Sequence, residues 1–141
     1  MSVPERYSPR SIRLRRNDPP SVLLLRGIEE FNEGRYFDAH ETWEEEWQVE
    51  KGAQRDFLRG LIHIAAGYHH LLARKNYRGT FIKLGSGSRL LDRFGLVYQG
   101  VSLDPLRRTA RFNRDRAWLL GAEHLAEFQA GWIGPIERMN E

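Results

Sequence analysis

The chain has 141 residues, of which 40% are hydrophobic and 29% charged, and its formal net charge is +3. These values are typical of one globular domain with its own core, and the net charge alone is too small to indicate a nucleic-acid partner. Because the chain contains no cysteine, disulfides, thiolate metal sites and cysteine nucleophiles are excluded, and any metal ligand must be His, Asp or Glu.

No apolar run approaches the ~18 residues of a membrane-spanning helix. The basic N-terminus has no apolar stretch behind it and does not resemble a secretory signal. We therefore expect a cytoplasmic protein with no membrane partner. Residues 1–20 are rich in arginine and proline without regularly spaced apolar residues, which predicts an irregular basic arm. A single helical domain is expected over residues 21–141.

The first helical hairpin is predicted from its caps and its apolar spacing. Ser21 is a suitable N-cap for the first helix. Gly34 ends that helix, because glycine readily takes the left-handed conformation that closes a helix. The second helix is predicted from about Tyr36 to Gln48.

A second hairpin is predicted from two longer helices, the first from about Ala53 to Arg74 and the second from Asn76 to about Phe94. Residues 85–88 of the latter read Gly-Ser-Gly-Ser. Two interior glycines cost about 1 kcal/mol each relative to alanine. Either the helix breaks there or the glycines allow another backbone to approach closely.

The C-terminal third begins with a predicted loop over residues 95–102. Asp104 and Pro105 suit the N-cap and first position of a helix that reaches about Leu120, where Gly121 stops it. A short last helix is predicted over residues 122–130. No segment shows the alternating apolar pattern of a strand.

The turn sequence at residues 34–39 has a weak echo at residues 75–80, which indicates two similar αα-hairpins. The sequence thus predicts an all-α compact bundle of about five to six helices, built from two packed hairpins plus C-terminal helices. The hairpins are distantly similar to tetratricopeptide units. Two of them fall short of the three repeats that a peptide-binding solenoid needs.

The second helix carries the main candidate site. On a helical wheel, His40 and Glu44 fall within an apolar stripe that also contains Tyr36, Trp43 and Trp47. Three interpretations stay open for the pair. It could be a buried structural clamp that bonds to a loop or to an arginine such as Arg55 or Arg59, two ligands of one metal ion, or an acid-base pair with Glu41 as a further catalytic candidate.

The aromatic residues of this region form a candidate packing cluster or pocket, namely Tyr36, Trp43, Trp47 and Phe57. On the third helix, His63, His69 and His70 are expected to be partly exposed or at an interface. Gly60 and Gly67 lie seven residues apart and form a smooth seam that suits either the fourth helix or a second protomer.

Arginines of the arm and of the last long helix could form a phosphate-binding surface for a nucleic acid. The candidates are Arg13, Arg15, Arg16, Arg107, Arg108 and Arg111. Acidic residues interrupt the cluster and no aromatic residues interleave with it, so the sequence favours a solvated helix face.

The stretch FNEGRYFDAHETWEEEW at residues 31–47, followed by RDFLRGLI at residues 55–62, resembles the domain-of-unknown-function family numbered 309. Its pattern is roughly F-N-x-G-x-Y-x-x-A-H-E-x-x-E-x-x-W, then R-x-F-x-x-G-L-I, and the resemblance extends over about residues 21–94. It implies a compact helical bundle of bacteria and archaea, and it implies no activity.

The function that the sequence favours is a helical protein-interaction or scaffold domain whose partner is another protein or a second copy, with no cofactor. In this interpretation His40 and Glu44 are the structural clamp. One alternative is a small metal-dependent or acid-base enzyme centred on His40, Glu44 and Glu41. The other is nucleic-acid binding through the arginines.

Overall fold

A computed structural model describes residues 14–139, so most of the predicted arm lies outside the described residues. Helices make up nearly all of its regular structure, which confirms the all-α class. In chain order the α-helices are α1 (Val22–Asn32), α2 (Tyr36–Trp47), α3 (Gly52–Leu72), α4 (Tyr77–Leu91) and α5 (Leu103–His124). The shorter elements are 3-10 helices at Asp92–Phe94, Leu125–Glu127 and Ala130–Trp132, and strands β1 (Val97–Tyr98) and β2 (Val101–Ser102).

The α-helices pack mainly in sequence order, with α1 on α2, α2 on α3, α3 on α4 and α4 on α5. The echo between the two turns is a structural repeat, since α2 begins at Tyr36 and α4 at Tyr77, 41 residues later. The residue two positions before each start has a left-handed backbone, with φ of 82° at Gly34 and 51° at Lys75. The predicted pair of αα-hairpins is therefore present.

Hairpin α1–α2 is closed by polar side chains as well as by apolar packing. Ser21 caps α1 by accepting from the Leu24 N–H, and its hydroxyl donates to the carboxylate of Glu46 on α2. The Thr42 hydroxyl donates to Glu30 Oε1 at 2.6 Å. Because Thr42 and Glu46 are both buried, these bonds satisfy polar groups that would otherwise be destabilising.

Trp43 is the central apolar side chain of this hairpin and is fully buried. Its indole N–H donates to the Leu24 carbonyl oxygen at 3.2 Å. The ring lies directly against Gly27, where a Cβ would be 2.0 Å from the indole nitrogen. The absence of a side chain at Gly27 is what lets the indole reach the α1 backbone.

Helix α4 is continuous through the Gly-Ser-Gly-Ser segment, and the glycines permit a close approach of α3. A Cβ at Gly87 would lie 2.8 Å from the Gly60 carbonyl oxygen. A Cβ at Gly67 would lie 2.7 Å from the Leu84 side chain. The glycine seam of α3 therefore packs against α4, the fourth helix, which was one of the two predicted partners.

The C-terminal third differs from the sequence prediction in three places. Residues 95–102 contain a two-stranded antiparallel hairpin, because Gln99 and Gly100 both take the positive φ that a tight hairpin turn requires. Helix α5 begins earlier than predicted, with Ser102 at its N-cap position. Gly121 does interrupt the helix at φ 64°, but the predicted last helix over residues 122–130 is reduced to one turn and 3-10 segments.

The segment after α5 returns to the hairpin and packs on it. The Ser102 N–H donates to the Glu137 carbonyl oxygen at 2.9 Å, and the Met139 N–H donates to that of Gly100 at 2.7 Å. The core beneath is one continuous cluster to which all five α-helices contribute. Among the helices that the structure describes, none combines the length and the hydropathy needed to cross a membrane.

Candidate functional site

One stripe of α3 faces outward between α2 and α4 and lines two cavities. The first, which we term the histidine pocket, has a volume of about 200 Å³ and lies between α2 and α3; its lining residues are Phe37, His40, Ala66, His69, His70 and Arg74. The second, the arginine pocket, has a volume of about 410 Å³ and lies between α3 and α4; its lining residues are Arg59, His63, Ser86, Arg89, Leu90 and Arg93.

His40 lies at the centre of a small cluster on α2. Its Nε2 is 3.3 Å from Glu44 Oε2, one helical turn away, and its Nδ1 is 3.8 Å from Glu41 Oε2. One donor atom from each of these three side chains can be chosen so that all lie within 4.8 Å of one another. The three residues that the sequence nominated for catalysis or metal binding are thus brought together.

The prediction that His40 and Glu44 form a buried clamp is wrong. Their side chains are 25% and 37% exposed, and the contact between them stays within α2. Arg55, one of the two arginines expected to complete the clamp, instead lies over the Trp47 ring at 3.9 Å. Among the described residues, neither Arg55 nor Arg59 bonds to the pair.

The error has a physical cause in the position of the buried face of α2. Its buried residues are Ala39, Thr42, Trp43 and Glu46. The helical wheel placed the stripe nearer Tyr36 and Trp47, which are only half-buried. Thr42 and Glu46 are buried although they are polar, because Glu30 of α1 and the N-cap residue Ser21 bond to them. The buried face of α2 therefore lies further from His40 than the wheel predicted.

The aromatic ring of Phe37 connects His40 to the histidines of α3. Phe37 stacks on His40 at 6.0 Å between ring centroids and lies 5.2 Å from His69. Burial and then the positive charge of Arg74 lower the pKa of His69, while burial and then His69 itself lower the pKa of His70. Both imidazoles are therefore neutral at neutral pH, the form in which a ring nitrogen can bind a metal or accept a proton.

Two ring nitrogens in the histidine pocket have no hydrogen-bond partner within the described part of the chain. They are the buried Nδ1 atoms of His40 and His70. Buried polar atoms are nearly always satisfied in folded proteins. Both atoms belong to residues that line the same cavity.

His63 lies in the arginine pocket and bonds to Ser86 of α4, with Nδ1 2.5 Å from the hydroxyl oxygen. Burial, followed by the positive charges of Lys83 and Arg59, lowers the pKa of His63 to about 4. The imidazole is therefore neutral, and in the tautomer protonated on Nε2 its Nδ1 accepts a hydrogen bond from the Ser86 hydroxyl. His63 is partly exposed, as expected from the sequence.

The predicted aromatic cluster is a packing core rather than a single pocket. Trp43 and Phe57 are fully buried, and Phe57 lies 4.5 Å from the Tyr98 ring between centroids. Tyr36 is half-buried against Phe31, and burial raises its pKa. The sequence left open whether the tryptophans enclose a cavity, and neither Trp43 nor Trp47 lines either of the two pockets defined above.

The arginines proposed for nucleic-acid binding on α5 are mostly occupied by other contacts. Arg107 is buried and donates to the carbonyl oxygens of Leu91 and Gly95 at 2.8 and 2.6 Å. Arg111 bonds to both carboxylate oxygens of Asp92, and Arg108 pairs with its helix neighbour Asp104. Arg107 is therefore a structural residue, which contradicts its assignment to a phosphate-binding surface.

The arginines of the arm that the structure describes also hold the fold together. The Arg15 side chain pairs with Glu50 at 3.0 Å, and its backbone N–H donates to the Tyr98 hydroxyl. The Arg16 carbonyl oxygen accepts from the Gln99 N–H at 2.8 Å. Arg13 lies outside the described residues. Arg16 lines a cavity with residues of the β-hairpin and with Arg138, and no α5 arginine lines that cavity.

Sequence reasoning missed the arginine pocket, because it joins Arg59 and His63 to Ser86, Arg89 and Arg93 from a different helix. The available signal was the pairing of glycines on α3 and α4, which sets the register between the two helices. Without that register, the residues of α4 could not be placed opposite those of α3.

The fold and the site together define a small all-α domain with a histidine-carboxylate cluster on its second helix. The family model described as "Domain of unknown function (DUF309)" matches residues 24–82. The match lies inside the segment predicted from the motif and confirms the resemblance over these residues. It includes the histidine pocket and the α3 side of the arginine pocket. No curated protein matches the sequence.

The lowered pKa of His63 predicts a specific pH dependence of stability. The unfolded imidazole titrates near 6.5 and the folded one near 4, so the unfolded state binds more protons between these values. The stability linked to a neutral His63 is therefore fully present above pH 6.5, and it is lost as the pH falls towards 4. Urea unfolding should show that the wild type loses up to about 3 kcal/mol more than His63→Gln between pH 7 and pH 4.

The comparison needs a second histidine variant as a control. His124 is exposed and lies at the far end of α5, so His124→Gln should follow the wild-type pH profile. Parallel profiles for the wild type and His63→Gln would show that His63 is not held neutral by its surroundings.

Proposed function

We propose that the protein binds a divalent transition-metal ion through His40 and Glu44 at the histidine pocket. The observation that carries the proposal is the 3.3 Å separation between His40 Nε2 and Glu44 Oε2. An ion bonded to both atoms at about 2.0–2.2 Å would place them about 3.0–3.4 Å apart, depending on the coordination geometry. The two donors therefore need little movement to hold an ion.

A second support is that the pair has no role in joining the helices. Its contact is intrahelical and partly exposed, and such pairs contribute only a few tenths of a kcal/mol. The polar contacts that do join α1 to α2 are made by Thr42 and Glu46. A histidine that lines a cavity and a carboxylate beside it, neither of which joins two helices by a polar contact, are available for a ligand.

The donor set indicates what kind of ion and site to expect. Imidazole and carboxylate together suit zinc, manganese, iron or nickel, and the absence of cysteine fits a site without thiolates. Glu41 is the third candidate ligand, and its exposed side chain can move towards the ion. Two or three protein ligands leave positions for water or a substrate, as in catalytic rather than structural metal sites.

The proposal is tested by calorimetric titration of untagged protein with Zn²⁺, Mn²⁺ and Ni²⁺. We expect binding of one equivalent of at least one of these ions. His40→Ala and Glu44→Gln should each weaken that binding by about tenfold or more, because each removes a bond to the ion.

His124→Ala is the matched control, since it removes an exposed histidine that also faces a glutamate, with His124 Nδ1 2.8 Å from Glu127 Oε2. It should leave the affinity unchanged. Retained binding in folded His40→Ala protein, or the absence of binding in the wild type, would overturn the metal proposal.

A second candidate function is self-association through the outer face of α5, which continues the interaction-domain prediction. Phe112 and Leu119 are 62% and 84% exposed. Together with Arg108 and Asp115 they form one stripe along the helix. An antiparallel pairing of two copies around Phe112 would place the positive charge of each Arg108 near the negative charge of Asp115 in the other copy, so the face is self-complementary.

Light scattering across a range of protein concentrations tests this second candidate. The wild type should approach twice the monomer mass as the concentration rises, and Leu119→Glu should remain monomeric because it places a charge in the contact. Val22→Glu changes an equally exposed aliphatic residue on α1 and should still dimerise. A monomeric wild type at every concentration would rule out the α5 contact.

A further inference from the structure

The arginine pocket carries positive charge on both of its walls. Arg59 projects from α3, Arg89 from α4, and Arg93 from the 3-10 turn that follows α4. Among its lining residues in the described part of the chain, none is acidic. Guanidinium groups that converge on one concave surface are the usual ligands of phosphate and carboxylate groups.

The pairing of these arginines differs from that of the arginines on α5. Arg59 and Arg89 are exposed and make no ion pair with any carboxylate that the structure describes. Arg93 donates to Asp56 at 3.1 Å, which orients its guanidinium and leaves its other N–H groups available. Two of the three guanidiniums thus retain their full donor capacity for an incoming anion.

The surrounding groups strengthen the positive potential and shape the cavity. Burial, followed by the charges of Lys83 and Arg59, lowers the pKa of His63, which lines the pocket as a neutral group. Ser86 contributes a hydroxyl beside His63, and Leu90 contributes an apolar wall. The cavity therefore offers a charged end for an anion and an apolar surface for an organic group.

The size of the cavity favours a small molecule over a polynucleotide. Its volume of about 410 Å³ lies within the range of small-molecule sites, roughly 300–1,000 Å³. A nucleic-acid backbone needs a continuous basic track, and the α3 stripe beyond His63 passes to Ala66 and His70 instead.

We propose that the arginine pocket binds the phosphate group of a small phosphomonoester, with Arg59 and Arg89 as its main ligands and Arg93 as the third. Leu90 contacts the organic part of the ligand. This site is separate from the cluster at His40 and does not depend on metal binding there.

The test uses the full chain and calorimetric titration with phenyl phosphate, inorganic phosphate and benzoate at one ionic strength. Phenyl phosphate should bind, and inorganic phosphate should bind more weakly because it makes no contact with Leu90. Benzoate shares the ring but not the phosphate and should bind about tenfold more weakly than phenyl phosphate or worse. Arg59→Gln/Arg89→Gln should lose about tenfold or more in affinity for phenyl phosphate.

The matched control is Arg55→Gln/Arg78→Gln, which removes the same charge from α3 and α4 at positions outside the pocket. It should bind phenyl phosphate as the wild type does, with circular dichroism showing that both double variants are folded. Equal losses in the two double variants, benzoate binding as tightly as phenyl phosphate, or no binding of any probe would overturn the proposal. Binding of a single-stranded oligonucleotide but not of phenyl phosphate would overturn it in favour of a nucleic acid.

Discussion

Gly87 of α4 lies directly against the backbone of α3 at Gly60. A Cβ at position 87 would lie 2.8 Å from the Gly60 carbonyl oxygen, and backbone atoms cannot move aside as a flexible side chain can. The contact therefore fixes both the distance and the register between the two helices. It also explains why α4 carries residues of poor helix propensity at its centre, since packing gains there outweigh the propensity lost.

Both pockets follow from this arrangement of helices. With α4 held against α3, Ser86 lies within hydrogen-bond distance of His63, and the arginines of both helices share one cavity. On the other side of the same α3 stripe, α2 brings His40 against the imidazoles of α3. One helix thus separates the proposed metal site from the proposed anion site.

The sequence predicted the features that depend on local pattern and failed where contacts between distant residues decide. Caps, turns and apolar spacing located the four helices of the two hairpins to within a few residues, and the motif predicted the segment that the family model matches. The burial of Thr42 and Glu46 depends on partners in α1, so the wheel rotated the buried face towards His40. The short β-hairpin was missed because two paired residues per strand are too few to show alternation.

The contact between Gly87 and the α3 backbone is tested by comparing Gly87→Ala with Gly85→Ala in denaturant unfolding. Both variants add one methyl group to the same helical segment, but a Cβ at position 85 would meet only the flexible side chain of Arg114, with Cδ at 3.4 Å. We expect Gly87→Ala to destabilise the protein by about 1–3 kcal/mol, whereas Gly85→Ala should be neutral or stabilise it by up to about 1 kcal/mol. Equal effects of the two substitutions would contradict a glycine contact as the constraint that fixes α3 against α4.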